Sequence, residues 1–155
     1  MPDDAPLGGE PPISSRFLLE VDGVEIGVFL EVTGLEVSVD VVEYTEGGVN
    51  GYVRKFPAVL NWPNLVFRRG LTDNDALFDW LGKSSGEGFA ANASTLTRST
   101  GAVTILGQGG QRLRAWDIVD VFPVRWVGPR LTSESSLALY EELEVAHHGF
   151  QAKQS

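Results

Sequence analysis

Alternating apolar and polar residues recur along the chain and predict a protein built mainly of strands. The clearest run is residues 35–41, where four apolar positions alternate with Glu36, Ser38 and Asp40. This period of two predicts a strand with one buried and one solvent-exposed face. Residues 17–33 predict a hairpin that turns at Asp22-Gly23. Further strands are predicted at residues 58–60, 65–69, 103–106, 112–126 with an interruption near Pro123, and 137–146.

One helix is predicted at about residues 73–82. Thr72 can cap its start, Asp73 and Asp75 suit its positive end, and Gly82 suits its stop. A short amphipathic helix is marginal alone, so this one is expected to pack against the sheet. Its apolar side is formed by Leu77, Phe78, Trp80 and Leu81. Residues 84–102 lack periodicity and predict a loop or a weak helix.

The predicted elements indicate a mainly β fold. About seven or eight strands with short turns and a single helix are typical of an antiparallel β-barrel or a sandwich of two packed sheets. We expect one domain at residues 16–150, after a flexible N-terminal arm at 1–15 and before a C-terminal tail at 151–155. Residues 43–56 contain three glycines and Asn50, which predicts a long loop that leaves the sheet.

Composition excludes several classes of function. The chain of 155 residues has 12 Lys and Arg against 21 Asp and Glu, a net charge of −9, which disfavours binding to nucleic acid or anionic lipid. With no Cys, disulfides, thiolate zinc sites and cysteine nucleophiles are excluded. Neither a secretory signal nor a membrane span is evident, so we expect synthesis in the cytoplasm.

No catalytic, cofactor or metal site is predicted. Gly82-Lys-Ser-Ser-Gly86 matches a hydrolase motif, but it follows a helix where a strand is required. The same context argues against a phosphate-binding loop. His147 and His148 are adjacent on a strand, so only one can serve a given site. The aspartates of the helix and the glutamates Glu141, Glu142 and Glu144 are better interpreted as helix-start and solvent or interface residues than as metal ligands.

A set of short segments in a fixed order resembles the contractile tail tube family. The set spans roughly residues 16–150 and begins with Phe29-Leu-Glu-Val-Thr-Gly-Leu35, followed by Tyr44-Thr-Glu-Gly-Gly-Val-Asn50 and Phe56-Pro57. It continues with Asn64-Leu-Val-Phe-Arg-Arg-Gly-Leu-Thr72, Leu77-Phe-Asp-Trp80, Phe122-Pro-Val124 and Glu141-Glu-Leu-Glu-Val-Ala-His-His-Gly-Phe150. The family comprises inner-tube proteins of contractile phage tails and related injection systems, with a fold similar to the type VI secretion tube protein.

The resemblance implies a structural subunit without catalysis. Members form hexameric rings that stack into a tube with a central channel, which a contracting sheath drives through a target envelope. Its expected partners are further copies of the chain, the sheath, baseplate or tube-initiator and terminator proteins, and DNA or protein cargo in the lumen. Its expected location is the bacterial cytoplasm during assembly, then a phage tail or an injection particle.

The resemblance also assigns contacts between rings to the loop at 43–56. The residues expected to form these contacts are Tyr44, Glu46, Gly47, Gly48, Asn50, Tyr52, Arg54 and Lys55. Glu46 facing Arg54 or Lys55 of another subunit would give polar complementarity. Glu36 and Asp40 are candidates for residues that face the lumen. Open alternatives are a monomeric ligand-binding β-barrel, an enzyme, and a tube-initiating paralogue.

Overall fold

The structure is a computed structural model that describes residues 16–48, 51–84, 99–133 and 139–153. These described residues form ten strands and one helix, in chain order β1 (Arg16–Val21), β2 (Val24–Phe29), β3 (Glu31–Thr33), β4 (Ser38–Tyr44), β5 (Arg54–Asn61), β6 (Leu65–Gly70), α1 (Ala76–Ser84), β7 (Ser99–Leu106), β8 (Arg112–Val127), β9 (Tyr140–Ala146) and β10 (Phe150–Ala152).

Two antiparallel sheets share the long strand β8. Sheet 1 has the order β2-β1-β7-β8-β10, and sheet 2 has the order β8-β9-β6-β3. β9 and β10 lie one after the other along the same side of β8, with Phe122 opposite Ala146 and Ile118 opposite Phe150. The predicted mainly β fold of two sheets with one short helix is confirmed.

The chain bends where β8 passes from sheet 1 to sheet 2. Asp120 takes a positive φ of 50° there, and the pairing with β9 shifts between Pro123 and Arg125. Opposite this point, residues 147–149 interrupt the last strand, and Gly149 has φ 123°. A Cβ on Gly149 would lie 3.1 Å from the Trp62 ring. The predicted interruption near Pro123 is therefore a change of sheet within a continuous strand.

The core lies between the inner faces of the two sheets and is closed by α1. Leu19, Val21, Ile26 and Phe29 enter it from β1 and β2, whereas Leu65, Phe67, Leu143 and Val145 enter it from sheet 2. The rings of Phe29 and Phe67 meet with centroids 5.1 Å apart. Alternate residues of β6 and β9 are buried, which is the pattern expected of strands covered on one face.

The helix matches its prediction in place but differs at both ends. The helix starts at Ala76, one residue after the Asp75 carbonyl that accepts from the Asp79 N–H (2.9 Å), and the Asn74 side chain accepts from the Ala76 N–H (2.9 Å). The predicted cap at Thr72 is wrong because Asn74 performs this role. Gly82 does not stop the helix, which continues to Ser84. Leu77 and Trp80 are buried against the sheets, as expected.

Several predicted strand boundaries are corrected. The strand predicted at 35–41 is β4 at Ser38–Tyr44, because Leu35 packs at the edge of the core and Glu36 N–H turns back to the Gly34 carbonyl (2.8 Å). β5 is longer than the predicted 58–60, β7 starts before 103, and β9 starts after 137. The turn at Asp22-Gly23 is confirmed, with positive φ at both residues. Most of the loop predicted at 84–102 lies outside the described residues.

Candidate assembly surface

β4 and β5 form a two-stranded ribbon that pairs with no other described strand. Every residue of both strands is exposed. The predicted buried face of this segment is therefore wrong, because no second layer from the described part of the chain covers either side of the ribbon. The predicted loop at 43–56 is also partly strand, since Glu43 pairs with Lys55 and Tyr44 with Arg54. The exposed large apolar residues of the ribbon and its ends are Val37, Val39, Val41, Val42, Tyr44, Tyr52, Val53, Phe56, Val59 and Leu60.

Both faces of the ribbon carry apolar side chains. One face has the cross-strand pair Val42 and Phe56, next to Tyr44. The other has Val41 opposite Pro57 and Val39 opposite Leu60. Contiguous exposed apolar surface of this kind is typical of a protein interface.

The predicted contact residues cluster at the tip of the ribbon. Tyr44, Arg54 and Lys55 lie at the strand ends, Tyr52 is exposed in the tip loop, and Gly47 and Gly48 form a turn. Arg54 Nε lies 3.1 Å from Glu46 Oε2 of the same chain. These two charges already neutralise each other, which removes much of the reason for a Glu46–Arg54 pair between rings. Asn50 lies outside the described residues.

The two candidate lumen residues also belong to the ribbon and the segment that leads into it. Glu36 precedes β4, and Asp40 lies within β4 where its Oδ1 accepts a hydrogen bond from Asn61 Nδ2 (2.8 Å). Both are exposed. They therefore share a location with the contact residues and do not lie on the two main sheets.

A buried ion pair, which sequence reasoning missed, fixes sheet 2. Arg69 Nε donates to Glu141 Oε1, and Trp126 Nε1 donates to Glu141 Oε2 (3.0 Å). Arg69 and Glu141 face each other across β6 and β9 and are both almost fully buried. The interpretation of Glu141 as a solvent or interface residue is wrong, whereas Glu142 is exposed and Glu144 half-buried. The sequence did contain a sign of this pair. Arg69 and Glu141 each occupy a position where the alternating pattern of the strand calls for an apolar residue.

The two histidines lie in the segment between β9 and β10 and not on a strand as predicted, one of them buried and the other exposed. His147 is buried, with Nε2 2.8 Å from the Pro63 carbonyl oxygen and Nδ1 accepting from the Gly149 N–H (3.0 Å). His148 is exposed beside Asp120, with Nδ1 2.9 Å from Oδ2. Within the described ranges, no three His, Asp or Glu side chains converge as metal ligands. None of the described helices is long and apolar enough to cross a membrane.

Comparison with known protein families identifies the chain. The family described as T4-like virus tail tube protein gp19 matches residues 14–151. The chain belongs to this tail tube family. Membership of a family of structural tube proteins confirms the prediction that the chain is not an enzyme. Comparison with curated protein sequences yields no match.

Solved structures of contractile injection systems share the fold of this tail tube protein. A chain from the PVC sheath-tube complex in the extended state has TM-score 0.74 and 21% identity, over 96% of this chain and 95% of that one. A chain from the anti-feeding prophage tube-terminating cap has TM-score 0.74 and 17% identity, over 99% and 97%. A chain from the PVC sheath/tube terminator has TM-score 0.73 and 22% identity, over 94% and 99%.

Proposed function

We propose that this chain is the repeating subunit of an inner tube, in which hexameric rings stack around a central channel and a contracting sheath propels the tube. The ribbon of β4 and β5 is the observation that carries the proposal. Its apolar side chains are exposed on both faces, and burying them against other copies would release free energy in proportion to the apolar area covered. In an isolated monomer these apolar side chains stay in water and contribute no burial energy.

Ring closure uses a different surface, the unpaired edges of the sheets. In the part of the chain that the structure describes, β2 and β10 are the edge strands of sheet 1 and β3 is an edge of sheet 2. A closed ring needs a heterologous contact, in which one edge of each subunit meets a different edge of its neighbour. Backbone hydrogen bonds between such edges give a contact that resists axial force.

The tip of the ribbon makes the contacts between rings. Its aromatic residues Tyr44 and Tyr52 and the ammonium of Lys55 are exposed, and they have no hydrogen-bond or ion-pair partner among the described residues. Glu36 and Asp40 face the channel, where acidic side chains keep anionic cargo such as DNA from adhering. A channel that proves to be mainly basic would contradict this assignment.

The particle supplies the remaining partners of the tube. A sheath surrounds it, baseplate or tube-initiator and terminator proteins hold its ends, and DNA or protein cargo passes through the lumen. The structures that share the fold come from sheath-tube, baseplate and cap complexes of such particles, which supports this set of partners. Assembly takes place in the bacterial cytoplasm, and the chain then resides in a phage tail or a released injection particle.

Electron microscopy of the purified protein, alone and with its sheath and baseplate partners, tests the proposal. We expect six-fold rings alone and stacked tubes when the partners are present. A chain that stays monomeric under both conditions contradicts the proposal and favours a ligand-binding barrel. Rings that bind the baseplate but never extend favour a tube-initiating paralogue instead.

A further inference from the structure

A groove of about 420 Å³ lies beside strands β2 and β6, apart from the β4–β5 ribbon. One wall is formed by β2 and by Leu30, which follows it, and the opposite wall by the end of β6 and residues that lead into α1. The volume is within the range of about 300–1,000 Å³ that is typical of sites for small molecules. The side chains of the walls decide which kind of molecule fits.

The guanidinium of Arg69 brings an unused donor to the groove. Arg69 is only 4% exposed, and its Nε donates to Glu141 while Nη2 has no hydrogen-bond partner among the described residues. Arg69 and Gly27 both line the groove, and the missing side chain of Gly27 makes room for the guanidinium, since a Cβ there would overlap Nη1. A buried N–H without an acceptor is costly, so a ligand atom that accepts a hydrogen bond is favoured here.

The groove has one unbalanced positive charge, which belongs to Arg16. The charge of Arg69 is already balanced by Glu141. Arg16 is exposed and has no ion-pair partner within the described ranges. A ligand with a single negative charge therefore complements this part of the groove.

The acidic residue of the described lining, Glu25, lies at the other end of β2. β1 and β2 pair in antiparallel register with Phe17 opposite Phe29. Arg16 therefore lies beside the end of β2, whereas Glu25 lies near its beginning. A second negative charge on the ligand, placed toward Glu25, would be repelled. The charges thus favour a monoanion over a dianion.

Two leucines give the groove an apolar rim. Leu30 is 54% exposed and Leu71 is 53% exposed, although both line the groove. Covering them removes apolar surface from water, which is favourable. An inorganic anion would leave both leucines in water, so the favoured ligand also carries an apolar part.

We propose that the groove binds a small organic molecule that combines one carboxylate with a compact apolar body. The carboxylate pairs with Arg16, because a guanidinium presents two parallel N–H donors that match the two carboxylate oxygens. An acceptor atom of the ligand satisfies the unused N–H of Arg69, and the apolar body covers Leu30 and Leu71. A phosphate ester fits less well, since it carries about 1.5 to 2 negative charges at pH 7 where one is unbalanced.

The site goes beyond the tube function proposed above and does not depend on it. No described residue of its lining belongs to the ribbon, and binding to a single subunit needs no neighbouring copy. A ligand that binds the folded chain and not the unfolded chain stabilises the subunit by mass action. The groove is therefore testable on the purified, unassembled protein.

Titration of the isotope-labelled full chain with matched small molecules, followed by NMR, tests the site. Hexanoate offers both groups, acetate the carboxylate alone, hexanol the apolar chain alone, and inorganic phosphate a different oxyanion. The protein is kept below the concentration at which it assembles, because β2 is an edge strand where a neighbouring copy would compete for the groove. Shifts of the backbone amide signals report both the dissociation constant and the place of binding.

We expect hexanoate to shift the amide signals of Gly27, Gly70 and Leu71, which line the groove. Its dissociation constant should be lower than those of acetate, hexanol and phosphate by about tenfold or more, because it alone uses both the arginine and the leucines. Shifts spread over the whole surface or confined to the ribbon would overturn the site. Phosphate that binds as tightly as hexanoate would overturn the assignment to a carboxylate with an apolar body.

Variants at exposed positions test the two halves of the ligand without changing the core. Arg16→Gln should raise the dissociation constant of hexanoate about tenfold and leave that of hexanol within about twofold. Leu71→Ser should weaken the binding of both molecules.

The matched controls are Arg130→Gln and Leu131→Ser, at an exposed arginine and an exposed leucine outside the groove. Both should leave the two dissociation constants within about twofold. Equal effects of the groove variants and their controls would overturn the proposal, whatever the protein's ability to form tubes.

Discussion

Individual side chains of this protein perform two separate tasks, holding the domain together and making contact outside it. Arg69, Glu141 and Trp126 form a buried polar cluster in which the carboxylate accepts from two donors. Arg69 also lies over the Phe29 ring, 5.2 Å from its centroid. Charges of this kind are tolerated in a core only when they are paired. The ribbon residues, by contrast, contribute little to the isolated domain because solvent surrounds them.

Removal of one partner of the buried pair should destabilise the domain strongly. Glu141→Gln leaves the Arg69 guanidinium buried without a counter-charge, and we expect a loss of about 3–5 kcal/mol in the free energy of unfolding. Urea unfolding followed by tryptophan fluorescence measures it. Glu142→Gln, one residue along the same strand and exposed, should change it by less than about 0.5 kcal/mol.

The double variant Arg69→Met/Glu141→Leu distinguishes the cost of leaving one charge buried without its partner from the cost of removing the whole ion pair. Because no charge remains buried in it, it should be more stable than Glu141→Gln alone. A double variant that is less stable than the single one would mean that the pair contributes through geometry that apolar residues cannot replace.

Gly149 should not tolerate a side chain. Its φ of 123° is unfavourable for other residues, and an added Cβ would lie 3.1 Å from Trp62. We expect Gly149→Ala to lower the unfolding free energy by about 1–3 kcal/mol in urea unfolding experiments. Gly82→Ala is the control, since Gly82 lies at an exposed position of the helix and nothing lies within 4 Å of where its Cβ would be. It should raise stability by about 0.5–1 kcal/mol, and equal losses in both variants would contradict the explanation.

At the scale of elements, the ribbon and the two-sheet body form distinct parts of the domain. The body has alternating buried residues and a shared core, whereas β4 and β5 pair, among the described strands, only with each other. A lone two-stranded ribbon is marginal in water, so its apolar faces need cover from other chains to become rigid. Changes to the ribbon should therefore affect assembly and spare the stability of the body.

Shortening the tip at residues 46–54 should stop ring stacking. The deletion removes Tyr52 and the Glu46–Arg54 pair but leaves the core intact, so we expect folded protein that gives isolated hexamers or no tubes. The free energy of unfolding in urea should change by less than about 1 kcal/mol, since the described residues of this segment, 46–48 and 51–54, are exposed. Microscopy and sedimentation distinguish the outcomes, and tubes of normal length would show that the tip does not mediate stacking.

For the molecule as a whole, acidity opposes the proposed assembly. Each chain carries a net charge of −9, so six copies in one ring would hold about 54 negative charges. Their mutual repulsion is screened over about 10 Å at 0.1 M ionic strength and over about 3 Å at 1 M. Apolar contacts do not weaken when salt is added.

Tube formation should therefore become easier as salt rises. Between about 0.05 and 0.5 M NaCl we expect the protein concentration at which rings and tubes appear to fall several-fold, as measured by light scattering and checked by microscopy. Sodium sulfate at matched ionic strength should act at least as strongly, because it also favours apolar burial. Assembly that weakens steadily with NaCl would show that ion pairs between subunits, and not apolar surface, dominate the interfaces.

Local sequence patterns predicted much of the fold and part of the candidate surface. The turn at Asp22-Gly23, strand β6 and the apolar side of the helix all depend on neighbours within a few residues. The burial of Glu141 could not be predicted from its neighbours in sequence. It requires Arg69, which is distant in sequence, to lie opposite Glu141 on the adjacent strand. The sequence placed the contact residues near the tip of the ribbon, but Glu46 and Arg54 were found paired within one chain.

The spacing of apolar residues and the residue types at the turns determined that this chain forms antiparallel strands with one supporting helix, since backbone geometry limits which residues can share a face. Tertiary structure alone decided which of those faces are covered. The alternation at 35–41 predicted a half-buried strand, yet β4 has solvent on both sides because the body's sheets pack against each other and not against it. Whether a residue is buried depends on how segments that are distant in sequence pack together. For that reason the exposure of the ribbon could be recognised only in the folded chain.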